Sequence, residues 1–170
     1  MLSSDENFMQ RALHEGKKAL PACTPNPPVG CVLVKDGEII ATGFTQAPGK
    51  HHAEAMALAQ VAGDLSEVTA FVTLEPCSFH GRTPSCAKAL VVRGIRRVVV
   101  ATLDPDPRNA GTGIEILKAA GLEVCVGVLE ERALSDLGPH LALIANNSVE
   151  MDAALPRSSL ATLGAPHVKC

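Results

Sequence analysis

His52, Cys77 and Cys86 offer an imidazole and two thiols in one chain. Together they supply three of the four ligands of a tetrahedral zinc ion and leave one position for water, the pattern of a catalytic rather than a closed structural site. Glu54 stands two residues past His52. At a helix start its carboxylate can face that water without ligating the metal, the position of a general base that takes a proton and later passes it to a departing amine.

Three element boundaries must converge for this to work. His52 opens an Ala/Leu/Met-rich helix expected through Ala62, which Gly63 ends. Cys77 follows an apolar strand expected over Val68–Leu74, and Pro84 starts a helix running to about Arg93, with Cys86 in its first turn. Helix N-termini favour thiolate over thiol, which assists ligation at both cysteines.

The remaining pattern supplies the frame. Ser3 and Glu6 have capping-box spacing ahead of a helix that ends near Pro21, and Thr24-Pro-Asn-Pro-Pro is a rigid extended loop holding Asn26. Val29–Lys35 and Glu38–Phe44 flank Asp36-Gly37 and read as an antiparallel hairpin. Strands over Ile95–Thr102 and Leu122–Val128, joined through a helix over Ile114–Ala120, should be parallel. A last helix is expected over Leu129–Leu137. The reading is an α/β fold, a three-layer α/β/α sandwich around a five-stranded mixed sheet, with a domain over residues 1–145 and an irregular tail over 146–170.

Composition narrows the function. A net charge of −3, four Phe and no Trp or Tyr give neither a basic footprint nor a stacking platform for nucleic acid. No apolar run approaches the roughly 20 residues that span a bilayer, and the first residues lack a signal-peptide pattern, so a cytoplasmic protein with no membrane partner is expected. The six cysteines are read as metal ligands or free thiols rather than disulfides, with Cys23, Cys31, Cys125 and Cys170 given no role.

Zinc-dependent nucleobase deaminases carry His-x-Glu followed by Pro-Cys-x-x-Cys; here the first half is present and eight residues separate the two cysteines. Asn26-Pro-Pro-Val-Gly-Cys-Val-Leu-Val-Lys-Asp-Gly, His52-Ala-Glu, Val72-Thr-Leu-Glu-Pro-Cys-Ser, Gly81-Arg-Thr-Pro-Ser-Cys and Asp104-Pro-Asp-Pro resemble the deaminase domain of the bacterial bifunctional riboflavin-biosynthesis deaminase/reductase, over roughly residues 5 to 132. The resemblance implies a cytidine deaminase-like fold and hydrolytic removal of the 2-amino group from diaminohydroxyphosphoribosylaminopyrimidine. It implies zinc on His52, Cys77 and Cys86, and a proton shuttle at Glu54. It also implies substrate contacts from Asn26, from Arg82 at the ribose-phosphate end and from Asp104, and homo-oligomeric assembly.

Three pocket positions depart from that family's pattern: Thr45 and Phe79 stand where it has His, and Asp106 where it has Asn. All three belong to substrate recognition, and the extra charge of Asp106 is expected to repel a nearby phosphate. The Asn-rich motif leading into the reductase has become Leu137-Gly-Pro-His, so reduction is expected to fall to another protein. His51 and His80 read either as substrate contacts or as solvated loop residues. Two other functions fit the same residues: deamination of a different nucleobase, nucleoside or nucleotide, and a noncatalytic zinc-containing binding protein.

Overall fold

The computed structural model describes residues 1–151 and 168–170, with side chains described through residue 143 and again from 168. Helix α1 (Ser4–Lys17) begins where the capping box places it: Ser3 Oγ accepts from Glu6 N and Glu6 returns a bond to Ser3 N, satisfying two otherwise orphaned donors. Strands β1 (Gly30–Lys35) and β2 (Glu38–Phe44) pair antiparallel across Asp36 and Gly37, both at positive φ (52° and 78°), as a tight two-residue turn requires.

From there the chain alternates. Helix α2 (Ala53–Leu58) leads to β3 (Thr69–Leu74), α3 (Cys86–Val92) to β4 (Arg97–Thr102), and α4 (Thr112–Ala119) to β5 (Glu123–Val126). The sheet order is β2-β1-β3-β4-β5, with β1 antiparallel to both neighbours and β3, β4 and β5 mutually parallel. Helices α1 and α5 (Glu130–Met151) cover one face and α2, α3 and α4 the other. Covered on both sides, β3 and β4 read as continuous apolar runs, the expected signature of buried parallel strands. One core, including Phe71, Leu33, Val99, Leu90 and Leu117, joins the layers.

Three expectations change, the first being that α2 ends at Leu58 rather than running through Ala62. Helix α5 continues to Met151 rather than ending near Leu137, and takes in residues 146–151 that had been given to the tail. An amphipathic stripe that includes Ala133, Leu137 and Leu141 stays buried and carries the helix through Pro139. Residues 152–167 of the expected tail lie outside the described residues. Cys125 and Cys170, read as unpaired, are joined as a disulfide, because Lys169 pairs antiparallel with Val126 and brings the last residue to the free edge of β5. That proximity depends on strand pairing across a 45-residue separation.

Candidate active site

The crossovers between the parallel strands bring the β3 C-terminal end to the N-termini of α2 and α3, and the site forms there. His52 is the N-cap of α2, Cys77 lies in the loop after β3, and Cys86 is the first residue of α3. Their donor atoms all lie within 4.8 Å of one another. His52 Nδ1 is 3.8 Å from Cys77 Sγ and 3.4 Å from Cys86 Sγ, against about 3.6 Å between N and S donors on one tetrahedral zinc.

Local bonds hold these ligands. Cys77 Sγ accepts from the backbone N–H of Cys86 (3.3 Å), while the Cys77 carbonyl accepts from Ala87 N and Ser85 Oγ. The same Ser85 hydroxyl caps α3 by accepting from Lys88 N. With Nδ1 facing the sulfurs, the remaining ring nitrogen, Nε2, lies 3.2 Å from Thr83 Oγ1 and can donate to it, fixing the imidazole plane.

The electrostatics of the donor set fit a cation. Hydrogen bonds from Cys86, helped by His52, pull the Cys77 thiol down to about 4, despite burial. Cys86 is driven the other way, chiefly by its bond to Cys77 and by burial. Two adjacent buried thiolates repel, so one ionises at the other's expense. A divalent cation between them removes that conflict, and the borderline-soft S₂N set suits zinc.

Glu54, in the first turn of α2, is 4% exposed. Burial, reinforced by the Cys77 thiolate and only partly offset by His52, pushes its carboxyl up to about 7. The helix that carries it rests close on the sheet. Gly43 of β2 lies against the backbone of Ala53 and Ala57, where a Cβ would meet Ala53 O and lie 2.8 Å from Ala57 N.

His52, Glu54 and Cys77 open onto a cavity of about 300 Å³, large enough for a small ligand. All six residues assigned to substrate by sequence, Asn26, Thr45, Phe79, Arg82, Asp104 and Asp106, line it. His51 and His80 are exposed and are not among its lining residues. Thr45 plays a framing part: its hydroxyl accepts from Val29 N (3.1 Å), and its own N–H donates to Val29 O (3.0 Å), tying the Asn26 loop to the end of β2.

Asp106 does not stand as an unpaired repelling charge. Its carboxylate takes the backbone N–H and the guanidinium of Arg108, which lowers its pKa, chiefly through the side-chain bonds. Arg108 also lies over the Phe79 ring, 4.7 Å from its centroid. Arg108 carries no sequence signal beyond its place two residues past Asp106, the spacing of a local Asx contact.

Glu75 and Asn109, given no role from sequence, join the cysteine loop to the Asp104 loop. Buried Glu75 accepts from Asp104 N (3.1 Å), Gly111 N (3.0 Å), Gly113 N (2.9 Å) and Ile114 N (3.4 Å), capping α4 with a full charge. Asn109, wholly buried, accepts from Ser78 N and donates to Pro76 O and Asp104 Oδ2. Glu75 adjoins Pro76-Cys77 in sequence, but its partners are backbone groups at least 29 residues away, which no residue pattern marks.

Comparison with known proteins agrees with this geometry. The family model for the cytidine and deoxycytidylate deaminase zinc-binding region matches residues 2–102. The riboflavin biosynthesis protein RibD of Aquifex aeolicus is 51% identical over 129 residues, 76% of this chain and 36% of that protein. RibD of Escherichia coli is 46% identical over 129 residues, 76% of this chain and 35% of that protein. The crystal structure of a diaminohydroxyphosphoribosylaminopyrimidine deaminase/5-amino-6-(5-phosphoribosylamino)uracil reductase from Thermotoga maritima matches with a TM-score of 0.80 at 43% identity, over 85% of this chain and 42% of that one. The chain therefore spans about a third of the length of these curated relatives.

Proposed function

The chain belongs to the zinc-binding cytidine and deoxycytidylate deaminase family, and from that premise we propose that it hydrolytically deaminates diaminohydroxyphosphoribosylaminopyrimidine, releasing ammonia in riboflavin-type biosynthesis. The observation that carries this reading is one cavity that opens at a His/Cys/Cys donor set and is lined by a buried carboxylate and two arginines, Arg82 and Arg108. The Thermotoga maritima diaminohydroxyphosphoribosylaminopyrimidine deaminase/reductase, at 43% identity, supports the choice of substrate, and the RibD relatives, at 46–51% identity, support riboflavin biosynthesis.

His52, Cys77 and Cys86 would hold the zinc ion. Bound there, zinc supplies Lewis acidity that makes water nucleophilic near neutral pH. Glu54 does the proton work. Its carboxylate accepts a proton from the attacking water and returns it to the 2-amino nitrogen as the C–N bond breaks, so that ammonia leaves and the ring carbon keeps the oxygen. A carboxyl held near neutrality by burial is suited to both halves of that exchange. Asn26 orients the ring by its amide, and Arg82 faces the ribose-phosphate end, where its fork can bond two oxygens. Asp104, anchored by Asn109, Asp106 N and Glu75, lines the same cavity.

The expected setting is cytoplasmic, with a small-molecule partner, homo-oligomeric assembly and no nucleic acid or membrane partner. Among the described residues no helix is long and apolar enough to cross a membrane. The test is ammonia release by the zinc-loaded chain over a panel: the diaminopyrimidine ribosyl phosphate, deoxycytidylate, cytidine and guanine. Turnover of the first in preference to the others supports the proposal. Zinc bound without turnover of any would return the chain to a binding role, and preference for another member would replace the substrate.

A further inference from the structure

We propose that Arg108, positioned by Phe79 and Asp106, reads the phosphate of the substrate and sets the preference for a phosphorylated ligand. This rests on the deaminase reading above. Phe79 and Asp106, from two different loops, converge on the same guanidinium.

Asp106 accepts from Arg108 Nε (3.0 Å) and from Nη2 (2.5 Å), taking one edge of the fork. The Phe79 ring backs the group, with the guanidinium carbon 4.7 Å from its centroid. Among the described residues nothing accepts from Nη1, so that end keeps its donors. Asp106 is the buried partner at 6% side-chain exposure, and Arg108 the open one at 71%, both lining the cavity. The arrangement therefore holds a long, flexible cation in one orientation at the cavity's rim before any ligand arrives, which lowers the ordering cost of binding an anion. The Asp106 charge is spent on orienting Arg108, and Arg82 on the neighbouring loop adds the second cation that a phosphate dianion calls for.

The experiment compares kcat/KM of the zinc-loaded chain on the diaminopyrimidine ribosyl phosphate and on its dephosphorylated riboside, with ribose 5-phosphate binding measured by calorimetry as an arm that needs no turnover. Arg108→Gln should lower the phosphate-over-riboside preference by about 10–100-fold, mostly through KM of the phosphorylated substrate, and weaken ribose 5-phosphate binding comparably. Phe79→Leu, which keeps an apolar side chain but removes the ring face, should move both readouts the same way by a smaller factor. If Arg108→Gln changes both substrates equally and leaves ribose 5-phosphate affinity as it was, Arg108 only braces its loop and the proposal falls. If the unmodified chain deaminates neither substrate, the deaminase reading fails, while the ribose 5-phosphate arm still decides the role of Arg108.

Discussion

Substituting Gly43 by alanine tests whether close packing of α2 on the sheet sets the catalytic geometry. The new Cβ would overlap Ala53 O and sit 2.8 Å from Ala57 N, both helix backbone, so no side chain can swing aside. Restoring ordinary contact requires α2 to lift from β2 by on the order of 1 Å. Overpacking of this kind costs about 1–3 kcal/mol, which for a chain of this size lowers the unfolding midpoint by roughly 3–10 °C. The helix carries His52 at its N-cap and Glu54 in its first turn, whereas Cys77 and Cys86 ride on other elements. The displacement therefore pulls one zinc ligand and the proton carrier away from the two thiolates together, and a 1 Å misplacement costs about 10²-fold in rate. Thermal unfolding, zinc affinity by competition with a chelating dye and ammonia release would be measured on the same preparation. Gly37→Ala is the control: Gly37 sits in the hairpin turn at φ +78° with nothing near its Cβ position, so it should cost stability with zinc affinity and turnover retained. Should Gly43→Ala keep kcat/KM within twofold and zinc affinity unaltered, the claim that α2 packing positions the site would be refuted.

Other perturbations separate the parts of the site. Cys77→Ala or Cys86→Ala should abolish stoichiometric zinc in folded protein, measured by metal analysis alongside circular dichroism; unchanged zinc content would remove that cysteine from the ligand set. Glu54→Gln should keep zinc yet lose about 10²–10⁴-fold in kcat, since an amide of the same shape cannot accept the proton, and an active variant would exclude Glu54 from the chemistry. Glu75→Gln places an NH₂ group among backbone donors and should cost about 3 kcal/mol in urea unfolding, because bonds to a charged acceptor contribute about 1.5–3 kcal/mol each; a neutral outcome would mean that the α4 cap is not a stabilising contact.

The candidate site was legible in residues because zinc ligation and proton transfer demand particular side chains, and His52, Glu54, Cys77 and Cys86, few and distinctive in the sequence, come together in the structure. The α/β/α layering was legible for a similar reason: apolar periodicity, the Ser3–Glu6 cap and the Asp36-Gly37 turn are local signals, and each appears where the chain's own spacing puts it. What depends on distant partners was not. Helix α5 outran its expected end because a buried stripe against the sheet outweighs the Gly-Pro pair inside it, a tertiary preference over local propensity. Cys125 meets Cys170 only through pairing at the β5 edge. Asp106 looked from sequence like a charge that would repel phosphate, yet the fold gives it Arg108 and sets that arginine on Phe79, so the charge is paired within the pocket rather than standing alone. Charges and donors in a pocket act through their neighbours, and which neighbours a loop residue receives is decided when β3 and β4 bring the Cys77 and Asp104 loops together, where Glu75 and Asn109 lock them with bonds to backbone groups.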